Sequence, residues 1–239
     1  MLAHLTLIPA LPKSLSTMHL LVLLPKAKAL PKDLPQGELL SAVLKRRALK
    51  AVELAKSPVV ANTADGSLVV WAMLDFEKET FAQQTQIRKA LQLLLDEHPK
   101  SIEIAVSGDA TQRQRMAELA VYGAWVNGAL LPVHKKKDER KTLQKIGLYG
   151  FADKKLFDTL QAQAAGNLLC RELTVLPPNE LTPGTYRQRV KKLAQENNWT
   201  LEEFEMKALR KMGAGAFVAV AQGSDPEDAA IVHLSYKHP

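Results

Sequence analysis

Residues Leu68 to Leu74 read Leu-Val-Val-Trp-Ala-Met-Leu, apolar at every position. A strand with no face fit for water belongs inside a sheet covered by helices on both sides. The turn Ala64-Asp65-Gly66-Ser67 separates it from the shorter run Val59-Val60. His19 to Leu24 is a second buried run, ended by Pro25. In Ser101 to Val106 the residues Ile102, Ile104 and Val106 share one face, and Ile146-Gly147-Leu148-Tyr149 reads as a further strand.

Helical patterns fill the gaps. Pro25 to Gly37 reads as loop, and Leu40, Val43, Leu44 and Ala48 predict an amphipathic helix from Glu38 to Lys56, with Lys45, Arg46 and Arg47 facing elsewhere. Ile87, Ala90, Leu91, Leu94 and Leu95 form the stripe of another, ended at His98-Pro99 because a residue before proline is pushed out of helical geometry. Ser107-Gly108-Asp109 turns the chain into a third, reaching about Leu131. Alternating strands and helices imply parallel strands joined by crossovers, so residues 1–150 are expected to be one α/β domain.

A chain of 239 residues accommodates one large domain, or one domain and part of another. No apolar run approaches the ~18 residues of a membrane span. The N-terminus, mixing Leu5, Leu7 and Ile8 with Pro9, Pro12 and Lys13, has neither the charged start nor the apolar core of a signal peptide. The single cysteine, Cys170, makes no internal disulfide, which fits a reducing cytoplasm. Lying among Leu168, Leu169 and Leu173, it reads as a small buried hydrophobe. The net charge of +7 and pI near 9.4 allow an acidic partner but say nothing of fold.

From Asp153 to Thr174 the pattern is a long helix, with Leu156, Leu160, Ala164, Leu168 and Leu169 near one face. Arg171-Glu172-Leu173 leads to the turn Leu176-Pro177-Pro178-Asn179-Glu180-Leu181-Thr182-Pro183. Thr182 suits an N-cap and Pro183 the first helical position. Tyr186, Val190, Leu193 and Ala194 predict the buried stripe of the next helix, stopped by Asn197-Asn198 before a strand from Thr200 to Phe204. Met212-Gly213-Ala214, Val218 to Ser224 and the apolar strand Ile231 to Tyr236 complete the order.

This order over residues 167–236 resembles the leucyl (cytosol) aminopeptidases where their catalytic domain begins. It departs from them at Val175, where the family has asparagine. The resemblance implies an α/β protein: a mostly parallel N-terminal sheet flanked by helices, similar to macro domains; a linking helix over 151–175; and the start of a second α/β, zinc-peptidase-like domain at 176–239. It implies removal of N-terminal residues from peptides with two divalent ions (Mn or Zn), a cytoplasmic homohexamer and, in some bacterial members, DNA binding. A metal-bound water attacks while the ions polarise the scissile carbonyl. In the family the carboxylates and lysines of that site lie beyond the segment matched here. The expectation is therefore that residues 1–239 hold no catalytic or metal-binding residue, bind no metal themselves and are inactive alone.

The residues agree. His4, His19, His98, His134, His233 and His238 are scattered, with no HExxH and no Cys/His cluster. In its strand His233 faces away from Val232 and Leu234, and Asp225, Glu227 and Asp228 read as a solvated turn. Gly123 and Gly128 have phosphate-loop spacing but lack the Lys-Ser/Thr that must follow, so they read as close-packing positions. Ser224 has no G-x-S-x-G around it. The run Lys135 to Lys141 carries five positive and two negative charges. It reads as a solvated loop, with phosphate or DNA contact through Lys135, Lys136, Lys137, Arg140 and Lys141 as the alternative function: a non-catalytic assembly or DNA-binding module. A small-ligand site in the first domain rests on the macro-domain analogy alone.

Overall fold

The structure is a computed structural model and describes residues 2–10, 18–133, 137–223 and 227–237. It divides into two compact units, residues 1–172 and 173–239.

The first unit is built on a six-stranded sheet. Its strands are β1 (His4–Ile8), β2 (His19–Pro25), β3 (Val59–Asn62), β4 (Leu68–Leu74), β5 (Ser101–Val106) and β6 (Lys145–Tyr149), in the spatial order β1-β6-β5-β2-β4-β3. All neighbours are parallel except β3 and β4, an antiparallel hairpin across the 64–67 turn. Strand β1 is an edge strand formed by the N-terminal stretch, for which no element is expected above. Its His-Leu-Thr-Leu alternation was the available clue.

Helices α1 (Gly37–Arg46), α2 (Thr80–Leu95) and α3 (Ala110–Gly128) follow β2, β4 and β5. Period-two alternation splits β2 and β4 between two cores. Leu21, Leu23, Val70, Ala72 and Leu74 face α2 and α3, while Leu20, Val22, Leu24, Val69, Trp71 and Met73 face α1. The β4 run thus fills both layers, as its sequence requires. Gly123 and Gly128 are close-packing sites: a Cβ on either would come within 2.8 Å of Leu91 or Leu143.

Several boundaries differ from those read in the sequence. Helix α1 stops at Arg46, not Lys56. Ala48 adopts φ +52 and the Leu49 amide bonds the Leu44 carbonyl, a C-terminal lock that ends the helix despite the continuing apolar spacing. A short 3₁₀ turn, Ala51–Ala55, follows. Helix α2 ends at Leu95, before the left-handed His98 (φ +50), and α3 ends at Gly128. The long helix begins with a 3₁₀ turn, Lys154–Phe157, before α4 (Asp158–Thr174). There Phe157, not the exposed Leu156, takes the buried position. Cys170 is exposed rather than buried. With ~100° per residue it sits about 200° around α4 from the buried Leu168.

The second unit contains α5 (Pro183–Glu196), β7 (Thr200–Glu205), α6 (Met206–Lys211), α7 (Gly215–Ala221) and β8 (Ala230–Ser235). The Thr182 hydroxyl caps α5 by accepting from the Thr185 amide at 3.3 Å, with Pro183 opening the helix. Strands β7 and β8 pair antiparallel as a two-stranded sheet. Of the expected α5 stripe only Ala194 is buried; Val190 and Leu193 are half-buried and Tyr186 is 46% exposed. Two strands are too narrow to cover the whole stripe.

Candidate functional site

In an open parallel sheet, ligands bind beyond the carboxyl ends of the strands where connections diverge, here between β2 and β5. At the carboxyl ends of β2, β4 and β5 the chain engages its own polar groups with one another. Lys26, one residue beyond β2, pairs with Asp75 after β4 at 2.9 Å. The pairing raises the lysine's pKa and lowers the carboxylate's. Asp109 accepts from the Gln112 amide at 2.9 Å, and the Gln112 side chain accepts from the Asp109 amide at 3.2 Å. A carboxylate therefore occupies the start of α3, where a phosphate would otherwise sit. Gly108 (φ +116) has no room for a Cβ beside Gln112. The reading of a small-ligand site gains no support here.

On the sheet face opposite α2 and α3, the Glu103 carboxylate lies over Gly147, its register partner on β6. Only glycine leaves space for it. The Tyr149 hydroxyl hydrogen-bonds to this carboxylate, and burial is the main cause of both shifts: Glu103 is raised and Tyr149 is pushed up to about 12. Glu103 Oε2 is buried without a hydrogen-bond partner among the described residues. No local pattern announces this pair, because its two residues lie 46 positions apart.

The basic loop is less basic than its composition. Arg140 pairs with Asp138 through Nε and Nη2, at 2.8 and 2.9 Å, and also donates to the Leu131 carbonyl at 3.0 Å. Lys137 and Lys141 are exposed, while Lys135 and Lys136 lie outside the described residues.

In the second unit the acidic groups serve the fold. Asp228 accepts from the Gly184 amide at 2.8 Å, and Glu227 pairs with Arg210, which lowers its pKa. Asp225 lies outside the described residues. Arg187 ties α5 to β7 through Glu203 and Glu205, at 3.1 and 2.7 Å, and to the loop before β8 through the Asp228 carbonyl at 2.9 Å. His233 is exposed, 3.7 Å from Glu202. Among the described residues no three His, Cys, Asp or Glu side chains converge. The donors present do not fit a pair of divalent ions.

What the second unit does present is a groove of about 560 Å³, lined by Leu181, Tyr186 and Val190 beside α5's start and along it, and by Ala230, Val232 and Leu234 of β8. It runs along β8 and includes no residue of β7. The sequence suggested this surface only as a buried stripe.

The model of the "Cytosol aminopeptidase family, catalytic domain" matches residues 168–239. A probable cytosol aminopeptidase of Prochlorococcus marinus (strain MIT 9312) is 34% identical over 106 residues, which are 44% of this chain and 21% of that protein. A solved tomato leucine aminopeptidase mutant superposes with TM-score 0.81 at 17% identity, over 100% of this chain and 52% of its own. The bottromycin maturation enzyme BotP in complex with Mn superposes with TM-score 0.66 at 19% identity, over 93% of this chain and 46% of its own. The chain thus spans about half the length of these solved structures. No described helix is long and apolar enough to cross a membrane. Residues 168–239 thus match the catalytic domain of the cytosol aminopeptidase family, and the chain shares its fold with a solved leucine aminopeptidase.

Proposed function

We propose that these 239 residues are the non-catalytic share of a two-metal leucyl aminopeptidase. They comprise its N-terminal domain, a linking helix and the opening of its catalytic domain, and polypeptide beyond residue 239 supplies the metal ligands and catalytic side chains. The observation that carries this reading is a pairing of two facts. Residues 168–239 match the family's catalytic domain, yet among the described residues Glu227, Glu203, Glu205 and Asp228 are bound to Arg210, Arg187 and the Gly184 amide, and no three donors converge. The complete enzyme would cut N-terminal residues from peptides with Mn or Zn, as a cytoplasmic homohexamer. A solved relative in complex with Mn supports the choice of metal.

The test is an activity assay. The purified chain, given a leucine arylamide with added Mn²⁺ or Zn²⁺, is expected to release no arylamine above the buffer rate. Turnover that co-purifies with the chain through successive columns would refute the placement of the active site.

A further inference from the structure

Helices α2 and α3 each carry a second row of side chains beside the one they bury. Phe81, Gln84 and Arg88 stand at i, i+3 and i+7 of α2, and Tyr122 and Val126 at i and i+4 of α3, so each set shares one helix face. The two faces border a groove of about 360 Å³, which Asn167 of α4 also lines. Arg171, one turn after Asn167, donates to the Val126 carbonyl and so holds α4 beside α3. Gly123, between Tyr122 and Val126, has no side chain to fill the space.

The polar groups of this groove are unspent. Among the described residues Gln84, Arg88, Tyr122 and Asn167 have no hydrogen-bond or ion-pair partner. The aromatic ring of Phe81 is 78% exposed. No Asp or Glu is found among the described residues that line the groove, so its one formal charge is the Arg88 guanidinium.

We infer that this groove binds a small N-acylated apolar amino acid. The ligand's carboxylate pairs with Arg88, whose planar fork suits bidentate contact. Its amide exchanges hydrogen bonds with Gln84 and Asn167, side chains that each offer donors and an acceptor. Its apolar side chain covers Phe81 and packs beside Tyr122 and Val126. The charge of the lining sets the choice. Nothing there answers a free ammonium, and desolvating one unpaired is costly, so a free amino acid is refused, including the leucine that an aminopeptidase would release. The volume lies at the low end of small-molecule sites, which favours a single residue over the end of a peptide. This binding site belongs to the first unit and does not depend on the function proposed above.

The test is a titration of the purified chain followed by two-dimensional amide NMR. N-acetyl-L-phenylalanine should bind saturably, with Kd at or below about 1 mM for a molecule of its size, and shift amides within 81–88 and 119–127. L-phenylalanine, with its ammonium, and N-acetyl-L-phenylalanine amide, without a carboxylate, should each bind at least about 10-fold more weakly. Arg88→Gln should weaken N-acetyl-L-phenylalanine by at least about 10-fold. Lys89→Gln, the same loss of charge on a neighbour outside the groove, should leave its affinity unchanged. Both positions are exposed, so neither variant threatens the fold.

No saturable shift, equal binding of the three probes, or equal loss in the two variants overturns the inference. Tighter binding of an acetylated tetrapeptide ending in phenylalanine also overturns it, because a peptide end would then be the occupant.

Discussion

The two units solve the same burial problem to different degrees. In residues 1–172 both faces of β2 and β4 are covered, and Trp71, Trp125 and Phe157 are almost wholly removed from water. In residues 173–239 the buried hydrophobic residues are Ala194, Met206 and Leu209, among those described. Met212, Phe217, Val220, Leu234 and Tyr236 are large and exposed there. The second unit is tied instead by ions: Arg187 to Glu203 and Glu205, Arg210 to Glu227. Burial of apolar area contributes more than exposed ion pairs, which are individually worth about 0–1 kcal/mol. The first unit should therefore unfold last and independently.

The sharpest way to break that contrast is to open the larger core. Trp125 is 1% exposed and its indole N–H donates to the Ala3 carbonyl at 2.8 Å, pinning the approach to β1. Trp125→Ala should cost the first unit about 3–5 kcal/mol. Urea unfolding followed by the fluorine NMR signal of Trp199 in fluorotryptophan-labelled protein, which is resolved from that of Trp71 and reports the second unit, should not shift. A shift there would mean that the two units unfold as one.

Next in size is the arginine that holds the smaller unit. Arg187→Leu removes the bonds to Glu203, Glu205 and the Asp228 carbonyl at once. With Glu205 largely exposed, the expected loss is about 2 kcal/mol, confined to the Trp199 transition. No change would show that the apolar contacts of Ala194 and Leu209 suffice.

Titration separates the units by sign. Burial raises the Glu103 pKa above its usual value, so the folded first unit binds that proton more tightly than the unfolded chain does. The associated stability is present below the unfolded carboxylate range and is lost as pH rises through the raised value. Glu103→Gln should thus be more stable than the parent at pH 8, with the gap closing as pH falls. Glu227, lowered by Arg210, behaves oppositely. Its contribution is present above the usual carboxylate range and lost as pH falls through the folded value, so Arg210→Met should matter near neutrality and not in acid. Melting curves from pH 8 to 4 check both signs.

The smallest effect belongs to the bare helix. Phe217, 58% exposed, has little to lose. Phe217→Ser should change stability by less than about 0.5 kcal/mol, by the same Trp199 measurement. A larger loss would show that α7 is already covered.

The strands of the first unit were readable because each carries its own pattern. Continuous apolar runs mark β2 and β4, alternation marks β5, and turn residues separate β3 from β4. Two of the misread ends share one cause. Ala48 and His98 adopt left-handed backbone without being glycine, and nothing in the residue type announces it. The burial of Cys170, Leu156 and Tyr186 failed differently. Hydrophobic spacing says which side chains prefer a core but not how much core is present to receive them. As for the candidate site, the absence of metal-ligand spacing could be seen in the residues. The groove along β8 could not, because Tyr186 and Leu234 meet only after the chain turns back on itself.

By itself the order of residues determined the α/β class, the parallel sheet and the likeness of residues 168–239 to an aminopeptidase catalytic domain, since these depend on patterns within a dozen positions and on a few turns such as Thr182-Pro183. Tertiary structure decided what those patterns leave open: that Glu103 lies over Gly147, that Arg140 spends its charge on Asp138, and that β8 has a charge-free open edge while β7 has a charged one. Each is a relation between side chains or strands brought together by packing, and packing depends on how much surface the whole fold has to cover.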